Sequence, residues 1–405
     1  MQRREFLTGA ALIAGATLLS ARVSFAQPDT RKARFVLVIL RGALDGLAAV
    51  PPLGDRDYAE LRREFALHSP GESGGALQLN GFFGLHPALG FLHQCYAARE
   101  LTVLHALAGP YRERSHFDGQ DVLENGTPRP HALQTGWLNR ALAALAAPAG
   151  HEAGVSLGQN VPLVMRGPAA VTSWSPSKLV APDDDTLSRL TDLYAGDPLL
   201  AARLADALAA DAIAAGGDRA DTMTPQAAAG ARGKARYAEV VRAAGAFLRR
   251  EEGPKVAVLD TSGWDTHANE GGAQGQLAAR LAELDAGLAA LRQELGPAWQ
   301  QTAVLLLTEF GRTAAINGTR GTDHGTATAA FLLGGAVAGG RVIADWPGLS
   351  SRALYQGRDL APTLDVRSVL KGVLAEQLAV PAHALEQEVF PDSSAARPLR
   401  GLMRA

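Results

Sequence analysis

Two short segments of this 405-residue chain set a carboxylate and an imidazole together beside glycine: Gly263-Trp264-Asp265-Thr266-His267 and Gly321-Thr322-Asp323-His324-Gly325. Carboxylate oxygen and imidazole nitrogen are ligand types for zinc, manganese and iron. Each pair follows an apolar run that reads as a strand, and the second also stands just before another. Open α/β sheets build their sites just past strand ends. The two pairs are therefore expected to meet in one polar cluster at one edge of a sheet.

Three further segments can contribute. Asp45 lies in the turn after the first apolar run. A turn role before Gly46 competes evenly with a functional one. Ser115-His116-Phe117-Asp118 opens a helical pattern, where Ser115 and Asp118 are ordinary capping candidates. The same position could also present a hydroxyl to an anion, because helix N-termini favour negative charge. Glu309, in Thr308-Glu309-Phe310-Gly311-Arg312, ends a fourth apolar run, and an internal Glu309–Arg312 ion pair is its plain structural alternative. Asp260 is a rival carboxylate near Asp265. None of the other histidines has a partner at ligand spacing, so surface or core roles are expected for them. His86, before Pro87, is a candidate cap.

The elements that must position these residues are legible as patterns. Arg34–Leu40, Leu101–Leu107, Lys255–Leu259, Thr302–Leu307 and Ala329–Leu333 are continuous apolar runs. Such runs are expected of strands buried on both faces. Between them lie helical patterns. The clearest is Gln276–Leu295, where Leu277, Leu281, Leu284, Leu288, Leu291 and Leu295 form one face and Gly296-Pro297 ends it. Pro87–Ala98, His116–Glu124, Thr135–Ala146 and Thr363–Leu378 are shorter. Alternating strands and helices predict a three-layer α/β sandwich with a central, mainly parallel sheet. Residues 183–252, rich in Ala and Arg, read as a helical insertion.

Composition narrows the function classes. A formal charge of −2 gives no electrostatic case for nucleic acid or a membrane surface. One cysteine, Cys95, excludes an intramolecular disulfide, thiolate zinc knuckles and iron–sulfur clusters. Residues 1–26 read as a cleaved twin-arginine signal peptide. Arg3-Arg4-Glu5-Phe6-Leu7 begins it, an uncharged stretch follows, and Ser24-Phe25-Ala26 offers small residues for cleavage. That stretch is shorter than the ~20 residues a membrane span needs. The expected mature protein starts at Gln27, is periplasmic or secreted, meets the Tat translocon during export and keeps no stable membrane anchor.

The order of motifs resembles the exported bacterial family called domain of unknown function 1501. Arg41-Gly42-Ala43-Leu44-Asp45-Gly46, Gly84-Leu85-His86-Pro87, Arg114-Ser115-His116-Phe117-Asp118 and Gly263-Trp264-Asp265-Thr266-His267 occur in sequence. Thr308-Glu309-Phe310-Gly311-Arg312-Thr313, Gly321-Thr322-Asp323-His324-Gly325, Asp345-Trp346-Pro347-Gly348-Leu349 and Arg358-Asp359-Leu360-Ala361-Pro362-Thr363 follow. That family in turn is similar in fold to the alkaline phosphatase and sulfatase superfamily. The resemblance implies an alkaline-phosphatase-like α/β domain over 27–405, with a nucleophile at Ser115 and an Asp/His pair at Asp265 and His267 before a long helix. His324 would bind metal or substrate. Two departures stand out. Arg41-Gly42 occupies the place of the superfamily's first-strand Asp, and Glu309-Phe310 replaces its later Asp-His.

What the resemblance implies is an exported hydrolase of a small-molecule or polymer phosphate or sulfate ester, dependent on a divalent metal such as zinc. Ser115 would attack, with His116 as ligand or general acid/base. Asp45, Asp265, His267, Glu309, Asp323 and His324 would hold metal. Arg114 or Arg312 would grip the anion. The competing expectation is a catalytically silent periplasmic scaffold or binding protein on the same fold, since fold does not fix function.

Overall fold

The computed structural model describes residues 32–145, 153–176, 184–214 and 229–404, all within one unit, Arg31–Arg404. The signal-peptide expectation for residues 1–26 and the start at Gln27 lie outside the described residues. So does part of the expected insertion.

The apolar runs form the centre of a sheet. Its main strands are β1 (Arg34–Arg41), β4 (Leu101–Ala108), β7 (Val256–Ser262), β8 (Thr302–Leu307) and β9 (Thr328–Leu333). Short strands β5 (Gly154–Leu157), β6 (Val171–Trp174), β10 (Arg341–Ile343) and β11 (Leu364–Asp365) extend it. Two-residue strands β2 (Leu77–Gln78) and β3 (Gly84–Leu85) pair separately. The order is β10-β4-β9-β8-β1-β7-β5-β6, with β11 also on β4. Neighbours are parallel except at β9, which runs antiparallel to both β4 and β8.

Alternation along β1 explains the unbroken hydrophobicity. Val36, Val38 and Leu40 join one buried cluster, and Phe35, Leu37 and Ile39 join another. The first cluster includes Leu277, Leu281, Leu284, Leu288, Leu291 and Leu295. These lie on α9 (Gln276–Leu295), numbered after α1 (Gly46–Ala49), α2 (Tyr58–Arg62), α3 (Gly90–Ala97), α4 (His116–Asn125), α5 (Trp137–Ala144), α6 (Asp184–Tyr194), α7 (Pro198–Ala214) and α8 (Ala229–Arg249). The second cluster takes Trp137, Leu138, Ala141 and Leu142 of α5 and Val369, Leu370, Val373 and Leu374 of α10 (Val366–Gln377). Helices thus cover both faces, and each fully buried leucine contributes about 1.5–3 kcal/mol. Helix α9 stops where expected, at Gly296 with φ 51, and Pro297 opens a following 3-10 segment.

Strand direction sets the site. Register aligns Arg41 of β1 with Ser262 of β7, and Ile39 with Leu307 of β8. The C-terminal ends of these strands therefore share one edge. Because β4 and β8 both run antiparallel to β9, the end of β4 lies at that edge too. For the same reason the start of β9 lies there. Residues after β1, β4, β7 and β8 and residues before β9 are brought together, whatever their separation in sequence. Among the described residues, no helix is long and apolar enough to cross a membrane.

Candidate metal centre

His116 opens α4 just after β4, Asp265 follows β7, and His324 precedes β9. Their ligand atoms all lie within 4.8 Å of one another, a cluster able to coordinate a divalent metal. His116 Nε2 is 2.9 Å from His324 Nε2 and 3.4 Å from Asp265 Oδ2. His324 Nε2 is 3.2 Å from Asp265 Oδ1. His267 Nε2 adds itself to this point, 3.0 Å from His324 Nε2 and 3.0 Å from Asp265 Oδ1.

The other ring nitrogens explain why these contacts call for a cation. His116 Nδ1 is 2.7 Å from Glu309 Oε1, and His324 Nδ1 is 2.9 Å from the Arg114 carbonyl. His267 Nδ1 is 3.2 Å from Asp323 Oδ1. Each of these partners is an oxygen acceptor, so each Nδ1 carries the hydrogen and each Nε2 of the neutral ring presents a lone pair. Three lone pairs and a carboxylate then converge, which is repulsive unless a proton or metal ion sits between them. Imidazoles held at one nitrogen by a carboxylate or backbone carbonyl are also oriented as metal-ligating histidines are. The residues fit a metal.

Supporting groups hold the donors. The Glu309 side chain is fully buried, and its Oε1 accepts from Gly42 N–H (2.9 Å), His116 and Gln120 Nε2 (3.0 Å). Burial raises the Glu309 pKa, but the bonds from His116 and Gln120 outweigh it and hold it below the usual carboxylate range. Glu309, by its bond and charge, raises the His116 pKa in return, against burial. Burial, helped by the neighbouring His116 and Arg312, lowers the His324 pKa against its bond to the Arg114 carbonyl. Phe310 stacks on His116, with centroids 5.0 Å apart, and touches His324 at 5.3 Å. Gly119 permits this, because a Cβ there would stand 3.0 Å from the Phe310 ring. Gly42, at φ +121, would carry a Cβ 2.7 Å from Asp265 N, so the close pass of β1's exit against Asp265 requires glycine.

Arg312 fixes Asp265. All three of its nitrogens are committed: Nη1 to Asp265 Oδ1 at 2.6 Å, Nε to Thr322 Oγ1 at 3.1 Å, and Nη2 to the Thr322 carbonyl. Burial works against ionisation of Asp265, but Arg312 overrides it and lowers its pKa. The Glu309–Arg312 ion pair that the sequence offered as an alternative is not formed; each has its own partner. Arg114 donates Nε to Asp359 and Nη2 to Gln356. Arg312 is buried with every nitrogen engaged, so its expected grip on an anion is corrected to positioning; Arg114 is held through Nε and Nη2 alone, and its substrate role stays an expectation.

The remaining expected residues fall in three places. Asp323 and Glu309 each stand one hydrogen bond outside the converging atoms, behind His267 and His116. Asp45 is apart from the cluster. It caps α1, Oδ1 accepting from Leu47 and Ala48 N–H, and it forms a buried ion pair with Arg62. Its expected metal role is corrected, because both oxygens are engaged and the residue is 1% exposed. Burial and the adjacent Asp45 carboxylate push Glu270 well above the usual carboxylate range, which keeps it neutral beside Asp45. Thr322 donates to Glu270 Oε2 at 2.6 Å, linking this buried acid pair to Arg312.

Ser115 holds the N-cap position of α4, but its hydroxyl makes no capping bond. Its backbone N–H reaches the Tyr111 hydroxyl at 3.3 Å. His86 caps, but not the helix: its Nδ1 accepts from Ala88 N–H at 3.1 Å, and α3 starts later, at Gly90. The sequence carries no sign of roles for Arg62, Glu270 and Gln120, nor of Thr322's part within its motif. Nothing in their spacing sets them apart; only the folded loops bring them to the site.

A family model described as "Protein of unknown function (DUF1501)" matches residues 106–389. The chain belongs to the DUF1501 family. The matched span contains the metal-capable triad, while Gly42 and Asp45 lie before it. No curated protein matches this DUF1501 chain. Among solved structures, it is similar to Ps i-CgsB in complex with k-i-k-neocarrahexaose (10% identity, 90% of this chain and 77% of that one, TM-score 0.40). It is similar to the C-terminal periplasmic domain of EcEptC from Escherichia coli, a complex with Zn (10%, 75% and 72%, TM-score 0.35). It is also similar to the phosphonate monoester hydrolase of Agrobacterium radiobacter (11%, 86% and 74%, TM-score 0.38). At such identities and TM-scores none of the three bears on the chemistry of this chain.

Proposed function

We propose that this protein is an exported, metal-dependent hydrolase of phosphate or sulfate esters, on an alkaline-phosphatase-like three-layer domain, with Ser115 as nucleophile. The observation that carries the reading is the convergence of three imidazole Nε2 atoms on the Asp265 carboxylate, each ring fixed from behind. His116, Asp265 and His324 would hold the ion, and His267 would be a fourth donor. A divalent cation such as zinc, when bound, supplies charge stabilisation for ester oxygens and lowers the pKa of a nearby hydroxyl.

The chain's own groups do the rest. Glu309, the Arg114 carbonyl and Asp323 keep each Nε2 free of hydrogen and aimed at one point. Arg312 keeps Asp265 ionised and in place. Helix α4 starts at His116, and the first-turn N–H groups of a helix favour an anion. Ser115, next to His116 and not engaged in capping, gives up its hydroxyl hydrogen to solvent and forms a bond to phosphorus or sulfur as the bond to the ester's alcohol oxygen breaks. The alcohol leaves protonated by solvent, and water then cleaves the serine ester.

Ser115→Ala tests this. Because no capping bond is lost, its melting temperature should stay close to the parent's, where a capping serine would cost about 0.5–2 kcal/mol. Turnover of p-nitrophenyl phosphate and p-nitrophenyl sulfate should vanish. Full activity in the variant would remove Ser115 from the chemistry.

A further inference from the structure

A second concavity opens at the same sheet edge, beside the metal-capable cluster. It occupies ≈ 350 Å³ beyond the C-terminal ends of β5, β6 and β7, with walls from α8 and α9. That volume lies in the range of small-molecule sites, ~300–1,000 Å³, and suits one ring-sized group. Gly158, Ser175, Tyr237, Asp260, Ser262 and Glu283 are among its lining residues.

Its position ties it to the cluster. Asp260 accepts from Arg41 Nε at 2.7 Å, and Arg41 Nη1 donates to Gln120 at 2.9 Å. Gln120 in turn bonds Glu309, which holds His116. The β7 exit passes from Ser262 on the wall of the cavity to Asp265 in the cluster within three residues.

The lining selects a ligand class. Asp260 and Glu283 are already neutralised, by Arg41 and by Arg280 (3.2 Å). The cavity thus offers no uncompensated positive charge for an anion. Each carboxylate has one oxygen in its ion pair, which leaves the other for donors. The Ser175 and Ser262 hydroxyls donate and accept, and Leu157, Tyr237, Val240, Trp264 and Leu284 give the other wall an apolar surface. Carboxylate oxygens and hydroxyls around one ring face match a neutral group dense in hydroxyls. We infer that this cavity binds the alcohol portion of the substrate, and that this portion is a neutral polyhydroxylated ring of the sugar class. The inference rests on the hydrolase reading for its place in the reaction, but binding itself needs no turnover.

The test separates the two. Saturation-transfer NMR on the intact mature protein would use glucose, galactose and N-acetylglucosamine, with cyclohexanol as an apolar ring control. The variant is Gly158→Leu. A Cβ at Gly158 would meet nothing closer than 3.7 Å, so the backbone tolerates it and the side chain grows beside Asp260. A second variant, Glu283→Leu, removes a carboxylate but keeps bulk. At least one sugar should show transfer in the parent, weakened about tenfold or more in both folded variants, with cyclohexanol silent. Absence of transfer from every sugar, or transfer unchanged in Gly158→Leu, overturns the inference. Sugar binding without hydrolysis of any ester leaves the cavity standing and removes the hydrolase reading; hydrolysis without sugar binding does the reverse.

Discussion

Replacing Glu309 by Gln tests how the cluster is held. Glu309 Oε1 receives three donors, from Gly42, His116 and Gln120. The amide oxygen of a glutamine must take that position, since an NH2 group there would face three N–H groups. Its NH2 then falls at Oε2, beside Thr308 Oγ1 at 2.9 Å. The Thr308 hydroxyl can direct its hydrogen to the Leu40 carbonyl at 2.7 Å and accept from the amide. Every hydrogen bond survives, and only the negative charge is lost. Fold stability should fall by about 1 kcal/mol, the charge assistance of the His116 bond. The bond to His116 loses its charge assistance, which is worth roughly 1.5–3 kcal/mol against 0.5–1.5 for a neutral bond. Removing such a partner of a metal-ligating histidine costs ~10–100-fold in metal affinity.

The pH dependence follows with a definite sign. Glu309 raises the His116 pKa, so in the parent a proton competes with metal at that ring above its ordinary value of 6.5. Without the charge the proton leaves His116 more readily. The affinity deficit of Glu309→Gln should therefore be largest near pH 8 and shrink toward pH 6. Zinc titration by calorimetry, against a competing chelator at both pH values, measures it. Equal affinity at pH 8 in the folded variant would refute the claim that Glu309 acts through His116.

Two further outcomes probe the buried acids. Asp45→Asn removes the hydrogen-bonded counter-charge of Arg62, 1% exposed, but lets the neighbouring Glu270 ionise in its place, so it should cost less than the ~3–5 kcal/mol of a stranded buried charge; loss of metal binding at unchanged stability would instead make Asp45 a ligand. Glu270 has a pKa raised above 4.5 by burial and by Asp45, so it contributes fully below that value and loses stability as pH rises through its folded pKa. Glu270→Gln cannot ionise and keeps a donor for Asp45, so its melting temperature should match the parent's near pH 5 and exceed it at pH 9. A melting temperature that does not rise relative to the parent's between pH 5 and pH 9 would contradict this.

The sheet and its long helices were legible because burial on both faces leaves apolar runs, and because a single apolar stripe marks α9. The Asp265 and His324 positions followed from the rule that sites gather at strand ends. The antiparallel course of β9 was not legible, although it is what lets a residue before a strand meet residues after three others. Asp45 misled because an acid in a glycine turn has the same local sequence whether it binds metal or caps a helix; the deciding partner, Arg62, comes from another loop. Arg312 misled for a similar reason, since its partner Asp265 is 47 residues away. Strands β5, β6, β10 and β11 have only two to four residues each, too few for a periodic signal.

The most direct test of the account is hydrolysis of p-nitrophenyl phosphate and p-nitrophenyl sulfate by the mature protein, before and after chelation and on stepwise return of zinc or manganese. The account predicts turnover of at least one ester, lost with the metal and restored as the ion is returned. It also predicts that the His116→Ala/His324→Ala double variant cannot be restored. Turnover indifferent to chelation, or none by metal-loaded protein on either ester, would contradict it.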